Sequence, residues 1–258
     1  MSYTINGGNF STWGMVVLES KGALDIPKRL GETEYDWGDS NGVEAYVSSA
    51  DLFWDGRIVT LTAFYSGANL ITDIETFVNA FKGEEITLVT SYGVHTCILA
   101  GAKVTHMLRP NTKALIDLSF WEEIITPGTP PTAIGGTGVT YGGYDFFKDF
   151  NLIVRGMQGY GDIPDFESRA FIYGDSPRKI GAYRKNRGIK IELTGKFASL
   201  ATLVTKVNAL KSVLMSAGLK NLVYQGVIKP SYFTEGAKVE VDIKTLIVRI
   251  QLNLKIQE

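Results

Sequence analysis

The chain has 258 residues, 45% of them hydrophobic and 21% charged, enough apolar material for packed cores and too little charge for disorder. That length accommodates one large domain or two of ordinary size. Twenty-eight glycines against eight prolines fit many turns between strands and argue against an all-helical fold. A single cysteine, Cys97, excludes an intrachain disulfide, so packing alone must hold the fold. Met1 to Gly7 carries neither the basic nor the apolar part of a secretory leader, and no run approaches the roughly 18 apolar residues of a membrane span. The expectation is a folded chain that is neither secreted by signal peptide nor embedded in a membrane. Its net charge of −1 conceals an asymmetry: residues 1–125 hold 8 basic against 16 acidic residues, and residues 126–258 hold 18 against 11.

In chain order, an aromatic-led strand is expected over Trp13–Leu18, followed by a turn at Gly22 and the tripeptide Asp25-Ile26-Pro27. Lys28–Asp55 has no period and exceeds the usual loop length, so it reads as an irregular arm. Alternation predicts strands over Arg57–Tyr65, Ile86–Thr90, Val104–Arg109 and Ala114–Glu123. Between the first two, Leu70, Ile71, Ile74, Phe77, Val78 and Phe81 recur at helical spacing, with Gly83 placed to end the helix. Residues 124–138, with three prolines and no period, read as a linker.

Beyond the linker the order begins again. Phe10, Trp13, Met15, Val16, Val17, Gly22, Asp25, Ile26 and Pro27 match Phe147, Phe150, Leu152, Ile153, Val154, Gly159, Asp162, Ile163 and Pro164 at an offset of 137. Val59, Leu61, Ala63 and Tyr65 match Ile191, Leu193, Gly195 and Phe197 at 132. Val78-Asn79-Ala80-Phe81-Lys82 matches Val207-Asn208-Ala209-Leu210-Lys211, and Gly101–Val104 matches Gly236–Val239. The second helix is expected to start at a Ser199 cap, carry the stripe Leu200, Leu203, Val204, Val207, Leu210 and Leu214, and close at Gly218. Asp165–Asn186 is the second arm. Collinear matches across both halves point to an internal duplication: residues 1–123 as one domain, 124–138 as linker, 139–258 as its repeat.

Chemistry is sparse. His95, Cys97 and His106 are the only concentration of metal-capable side chains, and they lack the paired spacing of a zinc site. No Gly-x-Ser-x-Gly elbow accompanies the two histidines, and Gly156, Gly159 and Gly161 open no helix as a phosphate loop would. The carboxylate pairs Asp36 with Asp39 and Glu84 with Glu85 read as solvated acids. No catalytic residue, cofactor or metal is expected, and the chain reads as a non-enzyme. The arms are different: they carry Tyr35, Trp37, Tyr46, Phe53 and Trp54 in the first, and Phe171, Tyr173, Arg178, Lys179, Tyr183, Arg184 and Lys185 in the second. Aromatic and basic side chains on long arms suit docking against a neighbouring subunit. A return of these aromatics to their own core is the alternative.

An aromatic-led strand, an Asp-Ile-Pro turn, a long arm, an Arg-led alternating strand and a helix ending in Asn-Ala-Phe/Leu-Lys resemble the distal tail proteins of siphovirus-type bacteriophages, in both halves. That resemblance implies a mainly β (α+β) chain of two tandem tail-tube-like β-sandwich domains, each with one packed helix and a long arm loop. It implies a homo-oligomeric ring of roughly six chains, or roughly three with quasi-equivalent domains. Partners implied are the tail tube, the hub and receptor-binding or fibre proteins, with DNA only in transit through the lumen, no membrane, and a place at the virion tail tip after assembly in a host cytoplasm. Family members commonly carry a carbohydrate-module-like second domain, from which this second half departs. Rival readings are a tail-tube or baseplate hub protein with fused domains, a carbohydrate-binding module using Trp37, Trp54 and Trp121, and an enzyme built on His95, Cys97 and His106.

Overall fold

The computed structural model describes residues 3–36, 44–109, 111–162, 166–173, 176–184 and 187–257, with backbone alone over 166–184. The chain is mainly β and divides into two compact units that do not follow chain order. Unit 1 comprises residues 1–27 and 55–126; unit 2 comprises residues 28–54 and 127–258. The division expected at 1–123, 124–138 and 139–258 is therefore crossed by one segment, because the first arm packs with the second half.

In unit 1, β1 (Thr4–Ile5) and β2 (Gly8–Asn9) lead into a 3-10 turn at Phe10–Trp13, then β3 (Met15–Lys21). The arm holds the two-residue pair β4 (Glu34–Tyr35) and β5 (Glu44–Ala45). Unit 1 resumes with β6 (Arg57–Ser66), α1 (Leu70–Phe81), β7 (Glu85–Thr90), β8 (Gly93–Arg109) and β9 (Lys113–Glu122). These form one antiparallel sheet in the order β2-β1-β7-β8-β9-β6-β3. Along β6 and β9 alternate residues are buried, among them Val59, Leu61, Ala63, Ile116, Leu118 and Phe120, and α1 adds Leu70 and Phe77. Ile71, expected on the helix stripe, stands 58% exposed, one residue outside that face.

Unit 2 repeats the plan. It runs β10 (Thr140–Tyr141), β11 (Tyr144–Asp145), α2 (Phe146–Phe150), β12 (Ile153–Gln158), the hairpin β13 (Phe166–Tyr173) and β14 (Ser176–Arg184), β15 (Arg187–Lys196), α3 (Leu200–Met215), β16 (Lys220–Tyr224), β17 (Val227–Phe233), β18 (Val239–Asp242) and β19 (Ile247–Ile256). Its sheet order is β11-β10-β16-β17-β19-β15-β12, the same path strand for strand, with β18 also on β19. β17 and β18 together stand where unit 1 has the single strand β8; Gly236, at φ 74, lies in the break.

Hydrogen-bonded registers align the units more finely than the sequence does. Val17 faces Ala63 with a bulge before Glu19, and Val154 faces Leu193 with a bulge before Gly156. β6 therefore matches β15 at an offset of 130, pairing Val59 with Ile189, and not at the expected 132. A two-residue slip keeps every side chain on its face, so alternation alone cannot exclude it. The expected aromatic-led strands begin as helical turns: Asn9 and Asp145 cap them, and Gly14 and Asn151 close them with left-handed backbone. Asp165–Asn186, expected to be irregular, contains the β13–β14 hairpin, which pairs with no other strand among the described residues. Residues 124–138 have no regular structure, yet Ile134 N and Gly135 N donate to the Asp149 carboxylate and Gly138 N to Asp145, so the expected linker is tied down at its second end.

Candidate functional site

The first arm forms a clasp on unit 2. It enters with Arg29, whose backbone N–H donates to Thr234 O at 2.7 Å, and its two ends meet where Arg29 bridges Trp54 and Leu30 N donates to Phe53 O. Val47 O accepts from Gly218 N at 2.7 Å, just beyond the end of α3. Trp54 stacks on Phe233 with ring centroids 6.1 Å apart. Glu34 is the polar anchor: one carboxylate oxygen accepts from Tyr232 Oη at 2.5 Å and the other from Lys255 Nζ at 3.0 Å. Beneath the clasp only about 10 Å³ of cleft is left between Arg29, Val47, Trp54, Tyr141, Leu214 and Tyr232. Burial lowers the pKa of the Arg29 guanidinium, and Lys220, half-buried on that floor, is pushed down by desolvation to about 8.

The arm residues named from sequence thus fall into two groups. Trp54 is half-buried on Phe233, Tyr46 is half-buried with its N–H on Thr33 O, and Tyr35 and Phe53 are exposed at 43% and 64%. Trp37 and Lys185 lie outside the described residues. Phe171 and Tyr173 lie in β13, and Arg178, Lys179, Tyr183 and Arg184 in β14, where the backbone alone is described. Sequence reasoning missed Glu34, Tyr232, Phe233 and Lys255. The sequence offered only the adjacent aromatics Tyr232-Phe233, which break strict alternation at a strand end; the structure buries both.

His95 and Cys97 do share a buried face, but their surroundings are structural. Arg57 Nε donates to Glu122 Oε2 at 2.7 Å, His95 Nδ1 lies 3.0 Å from the same oxygen, and His95 Nε2 lies 3.1 Å from Thr90 Oγ1. Burial by itself raises the Glu122 carboxyl; the hydrogen bonds and charges of His95 and Arg57 outweigh it and hold the group below its usual range. Burial, with Glu122 nearby, pushes the Cys97 thiol up to about 12, the reverse of an activated nucleophile. His106 is exposed and apart from both. By register, the second unit places Arg187, Lys229 and Ile256 where the first has Arg57, His95 and Glu122.

Unit 2 also carries an open trough of about 790 Å³ over its sheet, lined by Arg155, Glu192, Thr194, Lys238, Arg249 and Gln251. Leu193, Ala237, Ile247 and Ile250 also line it, so charges of both signs stand among apolar side chains. Among the described residues no helix is long and apolar enough to cross a membrane. No protein-family model matches the chain, and no curated protein matches it in sequence.

Proposed function

We propose that the chain is a structural protein of a bacteriophage tail that assembles into a ring at the distal end, joining the tail tube to the hub and receptor-binding apparatus and leaving a lumen for DNA. The observation that carries this reading is the clasp: a sheet plan occurs twice in one chain, and the arm inserted in the first copy is spent on the second. Such a contact joins unlike surfaces, and heterologous contacts between repeated units close into rings when the rotation permits. The arm also covers the end of a sheet that would otherwise present Tyr232 and Phe233 to water.

Electron microscopy of the purified protein tests the proposal. Closed rings of uniform size, with a mass of roughly three or six chains, are the expected result. Long stacked cylinders would favour a tail-tube role, and a monomer at micromolar concentration would defeat the ring.

A further inference from the structure

The register equivalence between the units exposes an uncovered counterpart of the clasp floor. β7 pairs β8 with Leu88 opposite His95, and β16 pairs β17 with Leu222 opposite Lys229; β6 and β15 fix β9 against β19 in the same way. Cys97, Ile98 and Leu99 therefore stand where unit 2 has Ser231, Tyr232 and Phe233, and Trp121 stands where it has Lys255. In unit 2 the arm covers these positions, leaving Tyr232 and Phe233 only 2% and 3% exposed. Within unit 1 no arm among the described residues covers the matching positions. Ile98 is 42% and Ile124 80% exposed, and with Trp121, Glu85 and Glu123 they line an open cleft of about 100 Å³.

We propose that this cleft is the docking site for the β13–β14 hairpin of a second copy of the chain. Two observations select that occupant. The hairpin occupies the same place in the second half as the clasping arm does in the first, between an edge strand (β12 or β3) and the strand that pairs with it (β15 or β6). Yet it pairs with no other strand among the described residues. Charge selects the same partner. Residues 28–54 hold six acidic residues against two basic and dock on a body, residues 127–164 with 187–258, of thirteen basic against eight acidic. The second arm, residues 165–186, is basic, five against three, and the body that offers the cleft, residues 1–27 with 55–126, is acidic, ten against six. Glu85 and Glu123 at the cleft rim face that basic arm as Lys255 faces Glu34. The clasp within one chain is thereby continued between chains, acid on base in the first joint and base on acid in the next.

The inference rests on the self-assembly reading above, and one experiment separates the two. The photo-crosslinker p-benzoylphenylalanine is placed at Ile98, and separately at the more exposed Ile124, in the full chain. Equal amounts of ordinary and ¹⁵N-labelled protein are mixed, irradiated and digested, and the assembly is imaged in parallel. A mixed-isotope link from either position to the peptide spanning residues 165–186 is the expected result. Rings whose links run to any other segment overturn the docking site and leave the ring. Links to residues 165–186 in open chains support the site and defeat ring closure, whereas an intrachain link, or a monomer with no link between chains, overturns the inference. As a second readout, Ile98→Asp is expected to weaken association about tenfold or more with an unchanged melting temperature; association at the level of the original chain would count against the site.

Discussion

Gly22 and Gly159 hold the same corner in the two units. Each has a left-handed backbone, φ 79 and 82, and a Cβ at either would stand 2.0 Å from Ile58 O or 2.5 Å from Gly188 O. Gly22→Ala meets both the strain and the clash, so a loss of about 2 kcal/mol or more is expected, read as a fall in the melting temperature; an unchanged melt would show that the corner relaxes freely. This corner was legible in the sequence, because glycine and Asp-Ile-Pro recur at one spacing. The Arg57, His95 and Glu122 cluster was not: its members come from three strands, 27 to 65 residues apart, and no periodic pattern marks such a meeting. Glu122→Gln leaves the buried Arg57 short of its counter-charge, which at neutral pH is expected to cost about 3 kcal/mol. Because the folded carboxyl sits below its usual value, its contribution is complete above the unfolded pKa and is lost as the pH falls through the folded one. Unfolding curves taken from pH 7 to below 4 should therefore show a steeper acid loss in the original chain than in the variant. Parallel slopes would mean that the cluster contributes nothing pH-dependent.

Among the elements, the two long helices, α1 and α3, are begun differently. Ser199 caps α3, its side chain accepting from Thr202 N at 3.1 Å, whereas Asn69 before α1 makes no such bond. Ser199→Ala is expected to cost about 1 kcal/mol and Asn69→Ala only a small fraction of that, by denaturant unfolding of the two variants side by side. Equal effects would mean that the caps are not what separates the two starts. Ser199 was recognisable as a cap from its position before an apolar stripe, and β6, β9, β15 and β19 from strict alternation. The hairpin was not recognisable. Pro177 lies within β14, where proline removes a ladder donor, and a bulge falls between Arg169 and Ala170; a two-stranded ribbon with open edges tolerates both, but they erase the pattern of a core strand. The helical turns at Phe10–Trp13 and Phe146–Phe150 escaped for another reason, being too short for a helical period to develop. Only the Asn or Asp before them and the Gly or Asn after them gave a signal.

At the scale of the whole molecule, the destination of the first arm was invisible in the sequence. Aromatics on a long loop say that something will cover them, and not which surface; the answer depended on Phe233, Tyr232 and Lys255, some 180 to 220 residues downstream. The contact itself sets an acidic arm, six acidic residues against two basic over residues 28–54, on a basic body. A chain that both offers a cleft and donates an arm is a head-to-tail unit, and such units obey a strict logic of complementation. Replacing residues 166–184 by a short Gly-Ser link removes the donor and, since the hairpin belongs to neither large sheet, should leave both sheets intact. Ile98→Asp removes the receiver. Each variant alone should be a monomer with an unchanged melting temperature, yet the first can still receive the arm that the second still donates. Mixed in equal amounts they should form a one-to-one dimer and nothing larger, because the two remaining ends are both blocked. A mass measurement by light scattering reads this directly, and raising the salt should weaken the dimer, since the joint sets a basic arm on an acidic body. If each variant dimerises with itself, the joint is between like surfaces; if the mixture stays monomeric, the cleft and the hairpin do not meet.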